Sequence, residues 1–261
     1  MSSHPSCPAF LHQSPAPDRH AIFCFPQAGC DAASFARWQP YLPETIQILP
    51  VTLPGRGRRL NEVTPETLPA LCDALFRDLS PYVMGSFSLV GSSMGAWIAF
   101  ELARRFEEAG QPPQLVMALT ASAPDQPRNL LDLENSKTPA QDLARFNPGF
   151  AEALAYPELV ELVMPAIKRD FAACARYHAT PDDPIRSDLL VIAGAQDRIS
   201  PPPAMQPWTA FTRGRCTFEV LAGGHDLYET QAQELAQILG ARLSKAPPAA
   251  ANPGTATYTG E

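Results

Sequence analysis

The chain has 261 residues with 45% apolar side chains, enough to bury one large core as a single domain. Its net charge of −7 and pI near 5.3 argue against nucleic acid or an anionic membrane surface as the main partner. No stretch is long and apolar enough to span a bilayer, and no charged-then-apolar leader opens the chain. The six cysteines show no paired spacing, which fits reduced thiols in the cytoplasm.

In chain order, residues 1–18 are rich in proline and polar residues and read as a flexible lead-in. Apolar runs then alternate with helical patterns. Strands are expected near 20–25, 46–51, 86–91, 114–120, 188–193 and 216–221, and helices near 32–42, 65–80, 94–109 and 230–244. Such alternation predicts an α/β fold, a mostly parallel sheet with helices on both faces, over residues 19–245. In the helix at 94–109, Ala99, Leu102, Ala103 and Phe106 form an inward stripe. Glu101 with Arg105, four residues apart, marks the other face as solvated. From 246 to 261 the Pro, Ala, Gly and Thr content predicts a disordered tail.

Residues 125–186 break the rhythm, because one crossover helix would suffice where about sixty residues stand. Helical segments are expected at 140–146, 150–155, 157–164 and 165–178, the last two opened by Pro157 and Pro165. Leu159, Leu162, Val163, Met164, Ile167 and Phe171 would mostly pack this insertion on itself. Placed at the C-terminal edge of the sheet, it would roof whatever lies there.

Gly91-Ser92-Ser93-Met94-Gly95 joins the apolar run Phe87–Val90 to the helix beginning near Met94. Glycines two residues either side of Ser93 allow a turn sharp enough to expose the serine, with a helix N-terminus aimed at any oxyanion beside it. A serine hydroxyl needs a base, and the base an orienting acid. Downstream of Ser93 stand two histidines. His178 ends a run with helical spacing, whereas His225 follows a strand pattern broken by Gly223 and Gly224, so His225 is the candidate base. Asp197 follows the strand Leu189–Ala193 at the edge where sites of open α/β sheets gather. Asp197 is the candidate acid, with Asp125, after the preceding strand, as the alternative. The oxyanion hole would use the backbone N–H of Met94 and one from the loop after the first strand, Gln27 or Ala28, since Pro26 has none. There are no metal-ligand clusters or phosphate-binding glycine loops, and no cofactor is expected. Arg56, Arg58 and Arg59 form a basic cluster that reads as a solvated loop or a docking patch.

Four motifs, taken together, resemble the type II (external, editing) thioesterases of nonribosomal peptide and polyketide biosynthesis. They are Phe25-Pro26-Gln27-Ala28-Gly29, Leu53-Pro54-Gly55-Arg56, the Ser93 pentapeptide and Gly223-Gly224-His225. The resemblance covers residues 20 to 244. It departs from the family pattern at Ser92, usually His, at Cys30, usually Gly, and at Asp226-Leu227, usually an aromatic pair. It implies an α/β-hydrolase fold with a helical lid. It also implies thioester hydrolysis on acyl- or peptidyl-carrier proteins bearing phosphopantetheine; we expect a monomer. The residues alone do not distinguish a thioester from an oxygen ester. A general carboxylesterase or acyltransferase, or a catalytically silent binding protein of the same fold, therefore remains an alternative.

Overall fold

A computed structural model describes residues 7–128, 130–146 and 148–245; the expected tail at 246–261 and the first six residues of the expected lead-in lie outside these. Its centre is a six-stranded sheet: β1 (His20–Phe25), β2 (Ile46–Pro50), β3 (Phe87–Ser92), β4 (Leu115–Leu119), β5 (Asp188–Gly194) and β6 (Cys216–Leu221). The spatial order is β2-β1-β3-β4-β5-β6 and every pair is parallel. All strands therefore end at one edge, and the loops leaving that edge can meet. This is the α/β-hydrolase arrangement that the motifs imply.

Successive side chains point to opposite faces of a strand, so one strand feeds two cores. Phe23, Phe25, Leu89, Val116 and Val191 lie in one core, packed with α1 (Leu68–Leu79) and α2 (Met94–Glu108). Ile22, Cys24, Val90, Met117 and Ile192 lie in the other, under the segment 32–41 and the C-terminal helices. Both faces being covered explains why these strands read as continuous apolar runs.

Ala32–Tyr41 is a 3-10 helix rather than the α-helix expected at 32–42. Phe35 and Trp38, three apart and both fully buried, eclipse in that geometry, and Pro40 withholds an N–H. The Glu101 reading is also corrected. Glu101 is buried and accepts bonds from Arg105 (2.6 Å) and the Tyr177 hydroxyl (3.0 Å), so it ties α2 to the end of the insertion instead of facing water.

The insertion between β4 and β5 contains α3 (Pro139–Phe146), a 3-10 stretch Pro148–Ala155 and α4 (Pro157–Arg176). Where two helices were expected at 157–164 and 165–178, α4 is continuous through Pro165. A mid-helix proline loses one backbone bond and costs about 3 kcal/mol, which surrounding packing has to offset. Met164, Ile167 and Phe171 supply that packing with Leu133 and Leu143 in a small separate core. Leu159 and Leu162, expected inside, are instead 45% and 53% exposed. The chain then returns through α5 (Pro202–Met205), α6 (Leu227–Thr230) and α7 (Ala232–Lys245).

Ahead of β1, residues 7–18 lie along the β2 edge. Leu11 is fully buried and bridges Val51 antiparallel, the Thr52 N–H donates to Phe10 O (2.9 Å), and Gln13 Nε2 donates to Ile48 O (2.9 Å).

Candidate active site

The turn from β3 to α2 is built by close approach of backbone. A Cβ on Gly91 would stand 1.9 Å from Gly95 O, and one on Gly95 would stand 2.1 Å from Phe25 O. Only hydrogen fits at either place, so α2 can start against the end of β1. Ser93 pays for the sharpness of the turn with φ 54° and ψ −117°, a strained conformation for a residue with a side chain. Its N–H is held by Leu119 O at 2.9 Å, and its carbonyl accepts from Ala96 N–H at 2.9 Å. Met94 is the first residue of α2, where helix geometry leaves the N–H without an intrahelical acceptor.

Asp197 follows β5 and is 4% exposed. One carboxylate oxygen accepts the N–H groups of Ile199 (2.8 Å) and Ser200 (3.0 Å); the other lies 2.9 Å from His225 Nδ1. Burial alone would raise its pKa. The His225 hydrogen bond and charge, with the two N–H donors, outweigh this and hold the carboxyl below its ordinary value. A carboxylate only accepts, so the proton of neutral His225 sits on Nδ1 and Nε2 keeps its lone pair.

Ser93 and His225 line one cavity of about 660 Å³. Its wall toward the insertion is apolar (Leu130, Leu143, Phe150, Phe171), with Trp97 and Cys174 beside them; Gln27, Ala28, Asp226 and Glu229 lie along the rest. The structure thus brings Ser93, His225, Gln27 and Ala28 to one space, with Asp197 directly behind His225. The other sequence candidates fall elsewhere. His178 stands beyond the end of α4, exposed in a charged depression with Arg104 and Asp183. Asp125 accepts from Gln126 Nε2 at 3.2 Å. Trp97 is buried and lines the cavity as well. Its indole donates to Ser122 O (3.0 Å), and the Arg128 guanidinium stacks 4.3 Å over its ring. Arg128 in turn donates to Cys174 O and Tyr177 O, fastening the start of the insertion to its end.

Of the basic cluster, Arg58 is exposed but the other two arginines are not solvated. Arg56 and Arg59 are buried; Arg59 pairs with Glu62 (2.6 Å) and Asp78 (3.0 Å), and Arg56 pairs with Asp170 of α4 at 2.8 Å. Asp170 was missed in the sequence. The available signal was an acidic residue on the stripe formed by Ile167, Phe171 and Cys174, where burial demands a cation. Among the described residues no helix is long and apolar enough to cross a membrane, and no cluster of metal-ligating side chains is found.

A parallel sheet with a serine on a strained strand-to-helix elbow, and a carboxylate–imidazole pair on neighbouring loops, is the plan of the α/β-hydrolases. Within that fold the chain belongs to the thioesterase domain family, whose family model matches residues 20–243. It is similar to AmbE, the AMB antimetabolite synthetase of Pseudomonas aeruginosa, at 30% identity over 87% of this chain, and spans 11% of AmbE's length. RedJ, a thioesterase of the prodiginine pathway of Streptomyces coelicolor, superposes with a TM-score of 0.79 at 28% identity, covering 92% of this chain and 96% of RedJ. BorB, the type II thioesterase of the borrelidin cluster, gives 0.78 at 27% identity, over 93% of this chain and 98% of BorB.

Proposed function

We propose that the protein is a serine thioesterase that clears acyl groups from the phosphopantetheine arm of carrier proteins in nonribosomal peptide or polyketide biosynthesis. The observation carrying this reading is the Asp197–His225 pair opening on the same cavity as the strained Ser93. His225 Nε2 takes the Ser93 proton as Oγ attacks the thioester carbonyl. Asp197 fixes the tautomer and stabilises the imidazolium. Met94 N–H and that of Gln27 or Ala28 hold the tetrahedral oxyanion; each such donor is worth about 100- to 1,000-fold in rate. The imidazolium returns its proton to the departing thiolate, leaving a serine ester. Water then attacks that ester with His225 again as base, and the free acid leaves.

The relatives RedJ and BorB support the pathway class, and the apolar cavity wall supports an acyl chain as the occupant. The residues between β4 and β5 act as the lid over this cavity. The same reading has the enzyme working as a monomer in the reducing cytoplasm, which its six free cysteines suit. Intact-protein mass spectrometry of acyl-loaded carrier proteins incubated with the enzyme tests it. Loss of the acyl mass with release of the free acid is expected. Unchanged carriers, with turnover of oxygen esters, would assign the site to a general esterase.

A further inference from the structure

We propose that Arg56 and Asp170 are positioning residues that hold the Gln27–Gly29 turn in register with Ser93, acting through the Gly29 N–H. This rests on the roles given above to Ser93 and that turn. Asp170 is 1% exposed, and its Oδ2 accepts the Gly29 N–H at 2.8 Å. Arg56 Nη2 donates to Oδ1 at 2.9 Å and lies 2.8 Å from Oδ2, while Nη1 donates to Cys30 O at 3.0 Å. One buried ion pair thus joins three segments distant in sequence: the loop after β1, the loop after β2 and α4.

Gly29 is gripped twice. At φ +76° it adopts a backbone that favours glycine, and Ile167, one turn before Asp170, comes within 3.3 Å of where a Cβ would be. Its N–H is spent on Asp170, so the donors that the turn offers to the cavity are those of Gln27 and Ala28. Their direction is set by the peptide that Asp170 fixes. Burial raises the Asp170 pKa, while Arg56 and the Gly29 N–H draw it back down. For stability alone an apolar pair of similar volume would serve as well or better, because desolvating two charges offsets most of their attraction. What an apolar pair cannot supply is an acceptor for Gly29 at a fixed point. Misplacing a catalytic donor by about 1 Å costs on the order of 100-fold in rate.

The test separates positioning from mere support. Arg56→Met/Asp170→Leu keeps the volume and removes both charges and the acceptor for Gly29, and Asp170→Ala, which removes the acceptor alone, is a second variant. Both are assayed beside wild type and Ser93→Ala, with acetyl- and decanoyl-N-acetylcysteamine as substrates and the thermal midpoint as the measure of folding. A fall in kcat of about 10- to 100-fold at a wild-type thermal midpoint, with KM within about threefold, is expected for the double variant. A kcat within about threefold of wild type in either folded variant overturns the proposal, and Asp170→Ala decides alone if the double variant does not fold. Ser93→Ala at wild-type rate would instead overturn the underlying reading, whatever the tether does.

Discussion

The edge of the sheet and the insertion above it are built on different terms. At the edge, each candidate group stands within a few residues of the end of a strand: Gln27 after β1, Ser93 after β3, Asp197 after β5, His225 after β6. Their placement follows from strand register and local turns. The insertion has only a small core of its own around Leu143, Met164, Ile167 and Phe171. It is fixed to the body by side chains that reach far along the sequence, Arg56 to Asp170 and Arg128 to Cys174 and Tyr177. On the proposed reading, the chemistry falls to the sheet edge and the shape of the cavity to the part that is tethered.

If that division holds, damage at the edge destroys the reaction and damage in the insertion redirects it. The largest effect is expected for Ser93→Ala: a loss in kcat approaching a million-fold with folding intact, read by single-turnover kinetics and circular dichroism. A rate within tenfold of wild type would remove Ser93 as nucleophile. Next comes Asp197→Asn, which presents the wrong imidazole tautomer and should cost about 10,000-fold in kcat. Asp125→Asn, bonded only to its neighbour Gln126 among the contacts described, should stay near wild type; the reverse pattern would move the acid to the loop after β4.

In the insertion the expected effects are smaller and selective. Phe150→Ala and Phe171→Ala enlarge the apolar wall, so kcat/KM for a decanoyl thioester should change about tenfold more than for an acetyl one. Equal losses on both would mean that these rings only support the fold. The finest distinction is within the insertion. Amide exchange should be fastest in α3 and the 3-10 stretch and in the first two turns of α4, where Leu159 and Leu162 are exposed. It should be slower from Ile167 to Cys174, where α4 is tied to the body. Uniform protection as strong as in β3 would rule out any gating by this region.

The same contrast decides what could be read from the sequence. All six strands were legible to within one or two residues: central strands buried on both faces are unbroken apolar runs such as Leu189–Ala193, and the half-buried β6 shows apolar residues broken by Thr217 and Glu219. The elbow was legible because its glycines are a local requirement. Asp170 was not: its partner lies 114 residues earlier, and a carboxylate within a helix reads as solvated until the opposing Arg56 is known. Glu101 was misread for the same reason, since its burial depends on Tyr177. Pro165 misled in the opposite direction. A proline rule describes the isolated helix, and here the packing of Met164 and Ile167 overrides it.

The strap formed by residues 7–18 bears on how the protein is handled. The family match begins at residue 20, which invites trimming everything before it. Trimming there would strip Leu11 and Gln13 from the side of β2 and bare its backbone hydrogen-bonding groups along one margin of the sheet. A bare strand margin is a template for pairing with another chain. A molecule cut to the family boundary should therefore be more prone to self-association than one that keeps residues 1–19, although the groups lining the Ser93 cavity would be retained.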